Sequence, residues 1–398
     1  MKELTRLIMA DAALAASLAA LEDDDAFIAA AGSTARAFSI APPEPLLRDA
    51  GRPDRLGLAR WSNVAPFAGS ALPPRDWLPI AVLPAPNATY IDWARFGPEP
   101  LRAPFYEDDI RRALRRPFNR AFRYRTGLHD LIAQAETMDS LVPSGFIFHM
   151  SRCGSTLTAQ MLAALADSIA IAEAAPIDAV VQLARGLPED DAARTLRAMI
   201  SAFGRKRSGH ERRYVVKLDC WHTLALPLFR RAFPDVPWVF LYRNPVEVLV
   251  SQMRQRGMQT VPEYLPPNFY GIAADETVPE EEYCARVLAA ICRAILEHRQ
   301  MSGGLVVNYR DLPDAVGAAI LPHFGISCDA AELTSMRQTA QWDAKSPMLP
   351  FTADADAKRR AVTDAIRRAA DRRLGGIYDQ LEVWRAELTA PAGSPGFV

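Results

Sequence analysis

The sequence predicts an α/β protein of three layers, in which helices flank a parallel β-sheet. Short runs rich in Val, Ile and Phe alternate with segments of helical periodicity from residue 144 onward, and this alternation is typical of parallel sheets. Before that point proline is frequent and the apolar spacing is mostly helical. We therefore expect a small helical region at 1–40, a Pro-rich and helical extension at 41–140, and the α/β domain at 141–390.

The region before the α/β domain is predicted to start with two short helices, at 4–21 and 24–31. Its hydrophobic helix, acidic turn and AFIAAAG segment resemble the Nif11-like leader unit. Asp11 interrupts the apolar start, which disfavours a signal peptide. The prolines between 41 and 104 argue against long regular elements there. From 106 to 135 the pattern is helical and basic, which is typical of a solvated helix face.

Composition argues against several classes of function. The chain has 398 residues, 49% of them hydrophobic, and a formal net charge of -1, so no overall field attracts it to nucleic acid or an anionic membrane. Its five cysteines lack paired C-x-x-C spacing, which disfavours zinc and redox motifs and predicts free thiols. No apolar run approaches the length of a membrane span. We expect a cytoplasmic protein without a metal, a nucleic-acid partner or a membrane span, and its oligomeric state is open.

The elements of the α/β domain alternate regularly. The predicted strands are FIFH, SIAIAE, YVVKLDC, PWVFLYR and GLVVNYRDL, and the segments between them have helical periodicity. Because ligands of open α/β sheets bind outside the carboxyl ends of the strands, side chains at those ends are candidates for a site. One candidate stands at each strand end in turn: Arg152, Glu173, Lys217, Arg243 and Tyr309.

The loop between the first strand and its helix, at 150–155, predicts an anion site. The first amides of a helix lack intrahelical partners, and the peptide dipoles add partial positive charge there. The nucleotide-kinase loop G-x-x-x-x-G-K-[ST] would need glycine at His149 and lysine at Ser155, and the sequence has neither. A Mg-ATP site is therefore disfavoured, and Arg152 is the expected source of positive charge.

Two motifs resemble those of the sulfotransferases that use 3′-phosphoadenosine 5′-phosphosulfate (PAPS). SRCGSTL is similar to the 5′-phosphosulfate loop, in the R-[SC]-G-[ST]-T form of the tyrosylprotein and many bacterial members. FLYRNPVEVLVSQ is similar to the 3′-phosphate motif, in which an arginine ends a strand and a serine follows eight positions later. The resemblance covers roughly Ser144 to Trp384. It implies a P-loop-type sheet, PAPS as co-substrate and no metal.

The resemblance also implies which residues bind the donor. Arg243 and Ser251 would grip the 3′-phosphate, and Tyr309 would lie near the cofactor. The phosphosulfate would be held by the amides, the hydroxyls and the guanidinium of five consecutive residues: Arg152, Cys153, Gly154, Ser155 and Thr156.

Sulfuryl transfer requires cations for the charge on the departing phosphate and a base for the acceptor's proton. Arg152 and Lys217 are the expected cations. In the tyrosylprotein branch the base is a glutamate 21 residues after the loop arginine, which corresponds to Glu173. Asp219 is the reserve base, because it stands two residues after Lys217, where small-molecule sulfotransferases carry a histidine.

The sequence departs from the family pattern in two places. Gln255 stands where a further basic contact is sought, and the late glycine-and-lysine loop of the cytosolic enzymes is not recognisable. The segment QWDAKSPMLPF offers Lys345 and Ser346 in its place. The long connection at 254–283 is a candidate lid over the acceptor site.

Other interpretations stay open. A P-loop phosphotransferase using ATP and magnesium is disfavoured by the absent loop lysine, and a non-catalytic nucleotide-binding module is kept open by the leader-like N-terminus. Glu173 could instead cap a helix, and Tyr309 could only pack against the sheet. His149 and His222 are weaker candidates for the base, and each is expected to be structural. The acceptor, whether a peptide, a glycan, a lipid or a small metabolite, is beyond the sequence.

Overall fold

The computed structural model of the protein describes residues 2–42, 54, 57–59, 61, 67–68, 71–266, 268–272, 278–346, 348–350 and 355–389. The chain forms two compact units, each made of two segments. The first unit contains 1–141 and 175–211, and the second contains 142–174 and 212–398. The predicted domain boundaries stay a prediction, and the Pro-rich segment at 43–50 lies outside the described residues.

Short helices and strands alternate along the described chain. The strands are β1 (Phe67–Ala68), β2 (Trp77–Ala85), β3 (Ala88–Arg95), β4 (Tyr124–Gly127), β5 (Gly145–His149), β6 (Ser168–Ala172), β7 (Arg213–Lys217), β8 (Trp238–Tyr242) and β9 (Gly304–Asn308). The α-helices are α1 (Lys2–Ala10), α2 (Ala12–Ala19), α3 (Asp24–Ala37), α4 (Tyr106–Arg115), α5 (Pro117–Ala121), α6 (Leu128–Gln134), α7 (Ser155–Ala163), α8 (Ala175–Ala184), α9 (Glu189–Phe203), α10 (Leu226–Ala232), α11 (Pro245–Arg254), α12 (Glu280–Glu297), α13 (Leu321–His323), α14 (Ala330–Thr339), α15 (Ala355–Arg360), α16 (Asp364–Ala370) and α17 (Gly376–Thr389). None of the described helices is long and apolar enough to cross a membrane.

The first unit contains a four-stranded sheet in the order β1-β4-β3-β2, with β2 and β3 paired as an antiparallel hairpin. The expectation that prolines exclude long regular elements here was wrong. β2 is an edge strand, where the missing N–H of a proline costs no ladder hydrogen bond, and the pairing shifts between Pro79 and Ala81. The helical pattern predicted at 106–135 was incomplete, since β4 also lies within this range and pairs with β3.

The second unit contains a five-stranded sheet in the order β6-β7-β5-β8-β9, and every adjacent pair is parallel. The central strands β5 and β8 are buried along their whole length, as the continuous apolar runs of parallel strands predict. Helices α7 and α17 pack against this sheet. The prediction of an α/β fold with a parallel sheet flanked by helices is therefore confirmed.

The strand order determines where a site belongs. Strand β5 has β7 on one side and β8 on the other. After β5 the chain therefore forms β6 and β7 on one side of it, and then β8 and β9 on the other. Ligands of open α/β sheets bind at such a switch point, beyond the carboxyl ends of the strands. The loop after β5 contains Arg152, and the loop after β8 contains Arg243.

Helix α17 is joined to the ends of β8 and β9 through Glu382. Its carboxylate accepts hydrogen bonds from the Tyr242 hydroxyl at 2.5 Å and from Asn308 Nδ2 at 2.7 Å. It also pairs with Arg310 and Arg385. Burial alone would raise the pKa of Glu382, but these donors lower it to about 2.

Candidate functional site

The five predicted strand-end residues lie at one edge of the sheet. Because all five strands are parallel, their carboxyl ends point the same way, and the residues that end or follow them share that edge. These residues are Arg152 after β5, Glu173 after β6, Lys217 at the end of β7, Arg243 after β8 and Tyr309 after β9.

The loop after β5 is wound tightly, in left-handed backbone conformations. Ser151, Arg152 and Gly154 have φ angles of 78°, 53° and 85°, and for the two non-glycine residues this is an uncommon and costly conformation. Helix α7 begins immediately afterwards at Ser155. A Cβ on Gly154 would lie 2.6 Å from Leu312 Cδ1 and 2.9 Å from Tyr309 Cδ2, so only glycine fits there.

The first turn of α7 brings polar groups to the loop. The side chains of Ser155 and Thr156 are both buried on this turn. Cys153 is fully buried, and its thiol donates to the carbonyl oxygen of Leu241 at 3.0 Å. Burial raises the pKa of Cys153 to about 11, so its thiol is neutral and packs rather than reacts.

Glu173 and Lys217 form a buried ion pair. The Lys217 side chain is 1% exposed, and its ammonium donates to Glu173 Oε1. The Glu173 backbone N–H donates to the Lys217 carbonyl at 2.8 Å. Glu173 itself has a φ of 50°. Burial alone would raise the pKa of Glu173, but Lys217 and His149 lower it below its ordinary value. The carboxylate is therefore ionised.

Arg152 reaches from the loop toward the candidate lid. Its Nη2 donates to the carbonyl oxygen of Gln255 at 2.6 Å. Burial lowers the pKa of Arg152, and the charge of Glu173 opposes that shift. The sequence has Gln255 at the position where a further basic contact was expected. Its backbone oxygen instead accepts a hydrogen bond from Arg152.

Arg243 is buried and held by two neighbours. Its Nε donates to Glu247 Oε2 at 2.7 Å, and its Cζ lies 3.8 Å from the centroid of the Tyr309 ring. Ser251 is four residues after Glu247 on α11, so the two occupy one face of that helix. The Glu247 carboxylate that pairs with Arg243 therefore belongs to the same face of α11 as Ser251.

Lys345 also lies near the ion pair. Its segment turns sharply, with the amides of Lys345 and Ser346 both donating to Asp343 Oδ1. Although Lys345 is exposed, desolvation by the surrounding protein and the charges of Arg152 and Lys217 lower its pKa to about 8. Lys345, which the sequence offers with Ser346 as a late contact, therefore lies within reach of the charges of Arg152, Lys217 and Glu173.

The start of the candidate lid is tethered to the loop through Ser151. The Ser151 hydroxyl accepts hydrogen bonds from Gln252 Nε2 at 3.1 Å and from Gln259 Nε2 at 2.8 Å. Gln252 Oε1 in turn accepts from the backbone N–H of Gly257 at 2.8 Å. Residues 267 and 273–277 of this connection lie outside the described residues, and its role as a lid stays a prediction.

The reserve base lies on a separate turn. Asp219 and His222 are both buried at the start of the 3₁₀ helix Cys220–Ala225, and their side chains approach to 4.0 Å. Among the described residues, all five cysteines are unpaired, as the sequence predicts.

Residues 143–329 match the model of a family described as the sulfotransferase family. This segment, which includes all five strands of the parallel sheet, belongs to the sulfotransferase family. None of the curated protein sequences is significantly similar to the chain.

Solved sulfotransferase structures resemble the chain at low identity. A Mycobacterium avium sulfotransferase is 14% identical, with 63% of this chain and 81% of that chain covered and a TM-score of 0.39. The sulfotransferase domain of the curacin biosynthetic pathway is 16% identical, with 58% and 98% covered and a TM-score of 0.37. A mouse sulfotransferase in complex with PAP is 13% identical, with 65% and 93% covered and a TM-score of 0.36. The family assignment rests on the family match.

Sequence reasoning missed two contributors to the site, Glu247 and Gln259, and gave His149 no contact within it. Glu247 pairs with Arg243, Gln259 tethers the connection to the loop, and His149 contacts Glu173. Only Glu247 had a local signal, since an acid four residues after an arginine at a helix start commonly pairs with it. The other two contacts join separated parts of the chain.

Proposed function

We propose that the domain transfers a sulfuryl group from PAPS to a hydroxyl or amine acceptor. One observation carries the proposal: the ionised Glu173–Lys217 pair lies at the same sheet edge as the left-handed loop at 150–154 and as Arg243. A base, a buried cation and two anion-binding elements are thereby gathered at the switch point of a sheet whose sequence belongs to the sulfotransferase family.

The residues present suit a doubly phosphorylated nucleotide. The amides at the start of α7, the hydroxyls of Ser155 and Thr156, and Arg152 would hold the phosphosulfate group. Arg243 and Ser251 would hold the 3′-phosphate, whose oxygens match the planar donor fork of an arginine. That phosphate would compete with Glu247 for Arg243, and Tyr309 would support the guanidinium from its ring face.

The chemistry assigns a role to each charged group. The acceptor oxygen or nitrogen forms a bond to sulfur as Glu173 takes its proton, and the bond from sulfur to the bridging oxygen breaks. The electron pair of that bond stays on the bridging oxygen, and 3′,5′-adenosine bisphosphate is the product that departs. Lys217 and Arg152 stabilise the charge that develops there. No metal is assigned a step in this proposal.

A thermal-shift experiment tests donor recognition without knowledge of the acceptor. We expect 3′,5′-adenosine bisphosphate to stabilise the protein in the presence of a chelator, and to do so more strongly than ADP with magnesium, because ligand binding to the folded state raises its apparent stability. A preference for Mg-ADP would contradict the proposal and favour a phosphotransferase.

The transfer itself is tested with donor labelled in the sulfuryl group. Mass spectrometry of peptide, glycan, lipid and small-molecule acceptors incubated with this donor should show one class that gains the label. Nucleotide binding without label transfer to any class, and without donor hydrolysis, would instead indicate a non-catalytic module.

A further inference from the structure

We propose that His149 is a positioning residue that holds the catalytic carboxylate of Glu173 and couples its orientation to the donor-binding loop. The inference rests on the proposed function. It assigns His149 a positioning role, where the sequence suggests a structural histidine or a weak candidate for the base.

The hydrogen bonds of His149 define its tautomer. The backbone N–H of Ser151 lies 3.1 Å from His149 Nδ1, and because a backbone N–H can only donate, Nδ1 must be the accepting nitrogen. The carbonyl oxygen of Leu218 lies 2.9 Å from Nε2, and a carbonyl oxygen can only accept. Both contacts are satisfied by the neutral ring with its proton on Nε2.

The same Nε2–H faces the base. Glu173 Oε1 lies 3.3 Å from His149 Nε2, next to the ring proton that donates to Leu218. Because Lys217 donates to Oε1 and the His149 ring lies beside the same oxygen, we assign the proton from the acceptor to the second oxygen, Oε2. The Glu173 side chain keeps 20% of its surface exposed, whereas Lys217 and His149 are buried.

His149 is unsuited to be the base itself. Its ring is buried, its Nδ1 is engaged by the loop, and its Nε2 already carries the proton. Burial lowers the pKa of His149, although Glu173 opposes that shift. His149 is therefore a neutral neighbour that keeps Glu173 in place beside the charged Lys217.

The two ring nitrogens have separable tasks. Nδ1 holds the backbone of Ser151, whose φ of 78° begins the left-handed part of the loop. Nε2 holds Glu173. A side chain that supplies only one of the two polar atoms should therefore keep one task and lose the other. Asparagine and glutamine provide this separation. Asparagine can place its Oδ1 near the position of Nδ1, and glutamine can place its Nε2 near the position of the ring Nε2.

Kinetics of the full-length chain compare His149→Asn with His149→Gln, using turnover of labelled PAPS with the identified acceptor or with water. For His149→Asn we expect turnover about 10- to 100-fold lower with little change in affinity for 3′,5′-adenosine bisphosphate. For His149→Gln we expect nucleotide affinity about three- to tenfold weaker and a smaller loss of turnover. Equal losses in both variants, or full turnover in His149→Asn, would overturn the inference.

A matched control is available at the opposite edge of the sheet. His323 Nε2 also lies against a strand carbonyl, that of Trp238, at 3.1 Å, but Trp238 is the first residue of β8. His323→Asn and His323→Gln should reproduce any general cost of replacing a histidine, without the split between turnover and nucleotide affinity. Thermal unfolding of all four variants separates folding defects from these effects.

The tautomer gives a readout that does not require activity. Nitrogen-15 spectra of the histidine rings between pH 6 and 8 should show His149 protonated on Nε2 alone, with a resonance that shifts in Glu173→Gln. If the protein proved inactive with PAPS, the proposed function would fail. The spectra would still show whether His149 contacts Glu173. A ring protonated on Nδ1, or a resonance unaffected by Glu173→Gln, would contradict the inference.

Discussion

The guanidinium of Arg243 stacks on the ring of Tyr309, with Cζ 3.8 Å from the ring centroid, and the same ring fills the space beside Gly154. Tyr309 therefore contacts both the arginine after β8 and the loop after β5. The two elements that we propose to bind the donor therefore share one neighbour at the carboxyl ends of the strands. A single doubly phosphorylated nucleotide bound by both is consistent with that arrangement.

The first prediction concerns the ring of Tyr309. Tyr309→Ala should weaken binding of 3′,5′-adenosine bisphosphate by roughly tenfold, because the guanidinium loses its cation–π contact and its fixed orientation. Tyr309→Phe keeps the ring and should bind within about twofold of the wild type. Isothermal titration calorimetry measures both, and equal binding by the alanine variant would show that the ring only packs.

The second prediction concerns the base. Glu173→Gln should lower turnover of labelled donor by about 10²- to 10⁴-fold, the usual contribution of a general base. Nucleotide binding should persist, because the amide oxygen still accepts from Lys217. Asp219→Asn is the matched control on the reserve base and should retain most of the turnover. An active Glu173→Gln together with an inactive Asp219→Asn would move the base to Asp219.

The third prediction concerns the carboxylate that pairs with Arg243. Glu247→Gln should tighten binding of 3′,5′-adenosine bisphosphate by about three- to tenfold, because an anion no longer competes for the guanidinium. Glu297→Gln, on the exposed end of α12, controls for the change in net charge. Titration calorimetry at low and moderate salt measures the affinity. Weaker binding in Glu247→Gln would mean that Glu247 orients Arg243 for the ligand rather than competing with it.

The fourth prediction concerns stability and pH. The pKa of Glu382 is about 2, below its ordinary value of 4.5. Its carboxylate therefore stabilises the fold at pH values above 4.5, and this contribution is lost as the pH falls toward 2. Glu382→Gln should lower the free energy of unfolding by about 1–2 kcal/mol at pH 7.

Urea unfolding of the wild type and of Glu382→Gln from pH 3 to 7 measures this difference, which should narrow below about pH 4.5. Glu387→Gln, an exposed position on the same helix, should change stability little at any pH. A difference between wild type and Glu382→Gln that stayed constant down to pH 3 would contradict the role of the charge.

The hairpin of β2 and β3 shows one limit of sequence reasoning. Its prolines weigh against a strand when the sequence is read locally, and they are tolerated only because β2 lies at a sheet edge with shifted pairing at Pro79. Edge position is a property of strand order. Strand order is set by contacts between distant segments, so the local pattern could not supply it.

The sequence by itself determined the alternation of strands and helices in the second unit and the residue that stands at each strand end. Apolar periodicity and turn residues act over a few positions, so they specify such elements locally. Only the tertiary structure decided which of those residues meet: Lys217 with Glu173, Arg243 with Tyr309 and Glu247, and His149 with both the loop and the base. Those pairings depend on the order of the strands and on side-chain directions across them, and these emerge only when the sheet packs.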